Sequence, residues 1–148
     1  MGLLKGEKIV HCIDTVEDGK YYFPQWATTN RGRAWSLSQD KWLSPTVVGE
    51  KRAYWGYKSD KKSIRCHVLF CHYFMDESDK IALKHFGRDG VEVHHTISID
   101  IPIELKTATD ENRIARIEHC MRCNCKANLS YQQKNLPIPS GKWSCSQY

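Results

Sequence analysis

The segment Val91–Asp100, which reads VEVHHTISID, alternates apolar and polar residues around two adjacent histidines. A period of two predicts a β-strand with one buried face. Successive side chains on a strand point to opposite faces. His94 and His95 would therefore present one imidazole to each side of the sheet, unless the strand ends or bulges there. The alternation predicts a half-buried strand that carries a histidine pair.

Short strands and turns are predicted over residues 1–63. KIVHCIDTV is a strand candidate that the Asp18-Gly19 turn closes, and Gly32 marks a second turn before another strand. The segment KSDKKS has the composition of a hairpin connection. We therefore predict a β-rich unit over residues 1–63 and a second unit over residues 64–148.

The second unit begins with helical signals. Residues 66–74 form an apolar run that fits a buried helix or a strand. A short helix follows, with Ser78 as its N-cap and Gly87 as its stop. The tail LPIPSGKWSCSQY has two prolines and a glycine, and we predict that it is irregular.

A longer helix is predicted after the histidine pair. Thr109 is the candidate N-cap, and Ile114, Ile117 and Met121 recur at helical spacing as a core-facing stripe. Strands in the first unit and strand plus helices in the second indicate an α+β fold.

Apolar content argues against a membrane protein. No apolar run approaches the roughly 20 residues that a transmembrane helix requires, and the start of the chain lacks a signal-peptide pattern. Seven cysteines in such a chain are expected to be reduced thiols rather than a disulfide framework. We expect a cytoplasmic monomer with no membrane partner.

Basic residues are concentrated in two blocks. From Arg31 to Arg65 there are nine Lys or Arg against three acids, and from Arg113 to Lys142 there are six against one. Residues 75–112 reverse the balance, with nine acids against four bases. Basic blocks interleaved with aromatic residues fit a nucleic acid, and a solvated basic face is the alternative. The candidates for contacts to double-stranded DNA are Arg31, Arg33, Lys61, Lys62, Arg113, Arg116 and Arg122.

The order of polar residues in the second unit has a chemical meaning. A histidine pair at a strand end, an asparagine-containing connection and a helix with ligand candidates make the layout of a one-metal nuclease. A divalent cation neutralises phosphodiester charge and stabilises the leaving oxygen. A neutral imidazole accepts a proton from water near neutral pH. One histidine of the pair can then face the metal while its neighbour faces the water.

VEVHHTI followed by DENRIARIEHCMRCN resembles the HNH endonuclease motif, in the form carried by small phage homing-type nucleases. Upstream, CHVLFCHYF is similar to the HRLV…F helix of that group. YYFPQWATTNRGRAWSLSQDKWLSP resembles its NUMOD-type N-terminal element. The residues that match that element are Asn30, Gly32, Arg33, Ser36, Leu37, Leu43 and Pro45. The resemblance covers roughly residues 20 to 130 and implies a ββα-metal nuclease core behind a DNA-contacting element.

Four residues acquire roles from this resemblance. His95 matches the general base and His94 the first metal ligand, while Asn112 is assigned as the asparagine that pins the connection to the backbone. Asn124 best matches the last ligand, which the family's helix supplies. Asn124 and Cys125 both flank the apolar stripe, so geometry does not choose between them, but an amide oxygen suits Mg²⁺ or Mn²⁺ better than a thiolate does.

Two departures from the family's pattern support a second hypothesis. The connection from His95 to Asn112 is longer than the family's turn and lacks its glycine-rich composition. When the chain is aligned strictly with the family's motif, Arg116 occupies the position of the asparagine that pins the connection. A protein that keeps the fold without activity would bind DNA with a strong salt dependence and leave it uncut.

The cysteines support a third, less favoured hypothesis, a structural zinc site. Cys66 and Cys71, combined with the histidine pair or with Cys120 and Cys123, have spacings that fit tetrahedral Zn²⁺. The first two lie in an apolar run, however, where cysteine behaves as a small hydrophobe. The histidines expected to be ordinary core or surface residues are His67, His72 and His85.

Overall fold

The structure is a computed structural model that describes residues 2–49 and 52–134. Within these residues the strands are β1 (Ile9–His11), β2 (Trp26–Thr29), β3 (Ala34–Ser36), β4 (Lys41–Trp42), β5 (Thr46–Val48), β6 (Tyr54–Lys58), β7 (Ser63–Arg65), β8 (Val91–His95) and β9 (Leu129–Gln133). The helices of the same residues are α1 (Val16–Gly19), α2 (Cys66–Tyr73), α3 (Glu77–Phe86) and α4 (Arg113–Asn124). The predicted α+β class is confirmed. The tail predicted to be irregular lies outside the described residues.

The N-terminal third forms a four-stranded antiparallel sheet in the order β1-β2-β3-β4. All four residues of β2 are buried, because this strand is covered on both faces. The turn predicted at Gly32 joins β2 to β3, and the glycine has φ +82°. That left-handed backbone conformation favours glycine over any residue with a Cβ atom.

A second antiparallel sheet has the order β5-β6-β7. Tyr57 pairs with Ile64 and Lys58 pairs with Ser63 across the last two strands. The hairpin connection predicted at KSDKKS is therefore confirmed. Two aromatic side chains of β6, Trp55 and Tyr57, are each 2% exposed and face the helices.

Helix α2 occupies the centre of the molecule. Six of its residues are buried: Cys66, His67, Leu69, Phe70, Cys71 and His72. A helix that is apolar on nearly all sides is expected to be surrounded by protein, and α2 packs against β2, β6, β7, β8, β9 and α4. The apolar run at residues 66–74, which the sequence left open, is a helix.

Helix α3 is capped differently from the prediction. Its N-cap is Asp76 rather than Ser78, because the Asp76 carboxylate accepts from the Asp79 backbone amide while the Asp79 carboxylate accepts from the Asp76 amide. This reciprocal arrangement satisfies two backbone donors that the first turn leaves unpaired. The predicted stop at Gly87 is confirmed, since it is the C-cap residue with φ 77°.

The last strands form a third sheet, in which β8 pairs antiparallel with β9. The strand ends at His95, and the alternation beyond it does not continue as a strand. Helix α4 thus lies inside the connection between two paired strands. Strand β9, which returns the chain to β8, was not predicted from the sequence.

Helix α4 buries only part of the predicted stripe, since Ile117 is buried and Met121 is half-buried. It begins after Asn112 rather than at a Thr109 cap, and Ile114, expected in the core, is 59% exposed. Its buried residues are Arg116, Ile117, His119, Cys120, Cys123 and Asn124. Trp55 explains the difference, because its indole N–H donates to His119 Nδ1 at 2.9 Å and so holds a polar face of the helix inward.

The buried core contains residues from both sides of the predicted boundary at residue 63. Trp26 and Tyr57 from the first unit pack with Phe70 from the second. No helix among residues 2–49 and 52–134 is both long and apolar enough to span a bilayer.

Candidate active site

The end of β8 meets the end of α4 at His95 and Asn124. His95 Nε2 lies 2.9 Å from Asn124 Oδ1, and the two residues are only 7% and 2% exposed. The Asn124 amide nitrogen donates to Cys120 Sγ at 3.5 Å, which leaves its oxygen directed at the imidazole. The predicted base and one predicted metal ligand therefore lie in direct contact.

A second imidazole, that of His67, lies beside this pair. It occupies the first turn of α2, and its ring centroid is 5.1 Å from that of His95 in an edge-to-face arrangement. The Tyr54 ring lies 5.4 Å from it on β6. The sequence predicted an ordinary core or surface residue at His67. The one sequence feature that pointed to a place beside the site was the similarity of its segment to the HRLV…F helix.

These side chains line a cavity of about 30 Å³. Arg52, Ser98 and Asp100 also line it, and the exposed Arg52 guanidinium donates to Ser98 Oγ. A cavity of this size admits one or two water molecules or a single ion. It is too small for an organic cofactor, so its chemistry must come from side chains, solvent or an ion.

Burial determines the charge state of both imidazoles. It lowers the pKa of His95, and the charges of Arg52 and His94 add to this effect, against the opposing hydrogen bond to Asn124. Burial also lowers the pKa of His67 well below its usual range. Charge on His95 and the cation of Arg65 lower this pKa further. Both rings are therefore neutral at pH 7. If Nε2–H of His95 donates to Asn124, the basic lone pair of that ring is on Nδ1.

The other predicted metal ligand, His94, is turned away from this cavity. It follows the alternation of β8, in which Val91, Val93 and His95 are buried and the residues between them are half-buried. Adjacent strand residues face opposite sides of the sheet. The structure brings Asn124 together with His95 and not with His94.

Two asparagines pin the connection that contains α4. The predicted one, Asn112, bonds through its amide nitrogen to the carbonyl oxygens of Glu104 and Thr107. It lies at the opposite end of α4 from Asn124, and the twelve residues of that helix correspond to roughly 18 Å. Asn112 therefore shapes the distal part of the connection.

Asn128, which sequence analysis missed, pins the part of the connection that borders the cavity. Its side chain accepts from the Ile97 backbone amide at 2.8 Å and donates to the carbonyl oxygens of Ile97 and Cys123 at 2.9 and 2.8 Å. One amide thus ties the chain leaving β8 to the end of α4, next to Asn124.

The turn between β2 and β3 supports the site from the other side. A Cβ atom at Gly32 would lie 2.9 Å from the Asn124 carbonyl carbon and 3.0 Å from the Cys125 nitrogen. The Lys126 amide donates to the Asn30 carbonyl at 2.8 Å. This turn belongs to the segment that resembles the NUMOD-type element, and it abuts the backbone that carries Asn124.

The predicted DNA-contacting residues fall into two groups. The exposed ones are Arg31, Lys61, Lys62 and Arg122. Of the others, Arg33 pairs with the buried carboxylate of Glu7, and Arg113 donates to the Trp42 carbonyl. Arg116 is 3% exposed with its guanidinium over the Trp55 ring. Its burial argues against the phosphate contact predicted for it.

The cysteines are not arranged as the zinc hypothesis requires. Cys66 and Cys71 are five positions apart on α2, so they project from different sides of the helix. The described cysteines are free thiols. Among residues 2–49 and 52–134 no three or more His, Cys, Asp or Glu side chains form a group that could hold a metal ion.

Comparison of the chain with protein-family models, curated proteins and solved structures found no match.

Proposed function

We propose that this protein is a metal-dependent DNA endonuclease of the HNH type, with His95 as general base. The observation that carries the proposal is the contact of His95 with Asn124 beside a polar, ion-sized cavity. The order of the motif along the chain and the exposed basic residues around the fold support it. The elements follow in the order β8, α4 and β9, so the proposed site has the histidine-bearing strand and the helix of a ββα-metal core but not its strand–strand–helix order.

A Mg²⁺-type ion fits the donors that line the cavity. Mg²⁺ keeps several water ligands and is commonly held by one or two carboxylates together with substrate phosphate oxygens. Asp100 and Asn124 are the residues that would hold it, in place of the predicted pair of His94 and Asn124. The ion would neutralise phosphate charge and stabilise the leaving oxygen.

The side chains of the cavity have separate tasks in this proposal. The buried, neutral ring of His95 accepts the proton of the attacking water at pH 7. Asn124 contacts that ring at Nε2 and holds the imidazole in place at the wall of the cavity. Arg52 brings a positive charge to the exposed end of the cavity, where the phosphate of an approaching DNA strand would arrive.

A nicking assay on supercoiled plasmid tests the proposal. Wild-type protein with Mg²⁺ or Mn²⁺ is expected to convert the plasmid to the relaxed form, and a chelator is expected to stop the reaction. Replacing His95 by Ala removes the base, so the rate should fall about 10²–10⁴-fold.

His85→Ala is the matched control, because His85 is an exposed residue of α3 and its loss should leave nicking unchanged. Circular dichroism of each variant separates loss of the base from loss of the fold. The assignment is wrong if the wild type does not nick, or if folded His95→Ala nicks as fast as the wild type.

The burial of His95 and its hydrogen bond to Asn124 also fit a histidine whose role is purely structural. These two observations support a second function. In that case the protein binds DNA and leaves it uncut. Strong salt-dependent binding of DNA by a wild type that never nicks would identify this function.

A further inference from the structure

A basic groove shares one lining residue, His67, with the active-site cavity. We define it by its cationic and phenolic lining residues: Lys20, Tyr21, Arg65, Arg88, Tyr131 and Lys134. Its volume is about 170 Å³. The buried residue His67 lines both the groove and the cavity.

The groove has an excess of positive charge. Of its four cations, Arg88 is paired, through Nε, with Glu17 at 2.5 Å. Lys20, Arg65 and Lys134 have no ion-pair partner among the residues that the structure describes. Glu92 is the acidic residue of the lining, so the groove retains a net positive charge even when both carboxylates are counted.

Arg88 is held in a fixed position in the lining of the groove. Its Nη1 donates to Tyr131 Oη at 2.9 Å, and its guanidinium lies 5.3 Å from the centre of the Tyr21 ring. Burial raises the pKa of Tyr131, so this phenol stays protonated. Because its oxygen accepts from Arg88, its own proton can be donated to a ligand.

The combination of cations and a fixed phenol suits one chemical group. Arginine, lysine and hydroxyl donors are the usual partners of phosphate oxygens. Pockets that enclose drug-sized ligands measure about 300–1,000 Å³, so this groove takes a group rather than a whole nucleotide. The geometry points to a binding site for a terminal phosphate monoester, with the rest of its molecule outside the groove.

A monoester is preferred to the internal phosphodiester of a DNA strand. A terminal phosphate carries nearly two negative charges near pH 7, which complement several unpaired cations better than the single charge of a diester. The phosphate can come from a free nucleotide or from the phosphorylated end of a strand. This inference does not depend on nuclease activity, since it concerns binding alone.

Fluorescence anisotropy of a short deoxyoligonucleotide labelled at its 3′ end tests the inference. The chain is titrated onto the oligonucleotide with a 5′-phosphate and with a 5′-hydroxyl, in the presence of a chelator so that no cleavage occurs. The 5′-phosphate should bind about tenfold more tightly, which corresponds to one charge-assisted hydrogen bond.

The variant Lys20→Gln/Lys134→Gln removes two exposed cations of the groove and should abolish that preference. Lys80→Gln/Lys84→Gln is the matched control, because it removes two exposed charges from α3 and should keep the preference. His95→Ala should also keep it, which distinguishes this result from the nicking result. Equal binding of the two oligonucleotides by the wild type, or a preference that survives in Lys20→Gln/Lys134→Gln, overturns the inference.

Competition identifies the source of the phosphate. If a nucleoside 5′-monophosphate displaces the 5′-phosphorylated oligonucleotide at a similar concentration, the groove takes a free nucleotide. If only a 5′-phosphorylated oligonucleotide displaces it, the groove takes a strand end. Displacement by a 5′-hydroxyl oligonucleotide to the same extent means that backbone diesters suffice and overturns the monoester assignment.

Discussion

Four histidines of this protein have buried side chains. His67 and His95 adjoin the candidate active site, His119 accepts the Trp55 indole proton, and His72 lies 2.8 Å from Asp14. Burial lowers the pKa of each of these four rings. The folded protein therefore favours the neutral imidazole at all four positions.

This preference predicts how stability depends on pH. The ordinary histidine pKa is 6.5, and the folded values lie below it, so the unfolded chain takes up protons first as the pH falls. The histidines therefore destabilise the fold progressively below about pH 6.5, by up to about 1.4 kcal/mol per pH unit for each ring that titrates only in the unfolded state. Urea denaturation between pH 8 and 5 should show a falling free energy of unfolding.

His67→Gln should reduce the slope of that dependence, because glutamine does not titrate. His85→Gln, at an exposed position, should leave the slope unchanged. A free energy of unfolding that is constant from pH 7 to 5 would contradict the prediction.

At the scale of elements, the site depends on a contact between the N-terminal sheet and the end of α4. Gly32 lies in the turn between β2 and β3, and the backbone of Asn124 and Cys125 fills the space where a side chain would begin. Asn30 in the same turn accepts from Lys126. The position of Asn124 therefore depends on a segment more than ninety residues earlier in the sequence.

Gly32→Ala should displace the end of α4 and weaken the contact of His95 with Asn124. The positive φ costs about 1–2 kcal/mol, and the collision with the Asn124 backbone adds about 1–3 kcal/mol. Gly6→Ala is the matched control, since the exposed Gly6 has φ +74° but no atom within 4 Å of its added Cβ.

Both variants are compared by urea denaturation, and the contact of His95 with Asn124 is followed by NMR titration of the imidazole. We expect a larger loss of stability for Gly32→Ala than for Gly6→Ala, together with a shift of the His95 pKa only in Gly32→Ala. Equal losses and an unchanged His95 titration in the two variants would show that the contact does not position the site.

At the scale of the whole molecule, one core joins the two units predicted from the sequence. The Tyr57 ring of β6 meets the Phe70 ring of α2 at 6.0 Å, and Trp55 of the same strand contacts α4 through His119. Helix α2 is buried against strands of all three sheets that the described residues form. Removing either half would expose a large part of this core.

Residues 1–63 and 64–148 should therefore unfold together. Tryptophan fluorescence reports mainly on the first half, which contains Trp26, Trp35, Trp42 and Trp55, whereas far-ultraviolet circular dichroism reports on the helices. The two probes should give one coincident transition in urea. Separate midpoints for the two signals would show that the halves are independent.

A structural feature could be predicted from the sequence when the residues that determine it are close together in the chain. The hairpin at KSDKKS, the turn at Gly32 and the stop at Gly87 are each encoded within a few residues, and each was predicted correctly. The Asp76 cap was missed in favour of Ser78 because both are good N-caps, and only the reciprocal bond with Asp79 decides between them.

The sequence by itself determined the α+β class, the strand that carries the histidine pair and the helix that follows it, because backbone periodicity and capping act between near neighbours. The tertiary structure alone decided that His95 rather than His94 meets Asn124, that His67 joins them, and that Arg116 faces inward while Ile114 faces solvent. These outcomes depend on contacts between residues far apart in the chain, such as that of Trp55 with His119. No local pattern encodes such contacts, because they form only when the sheets and helices pack together.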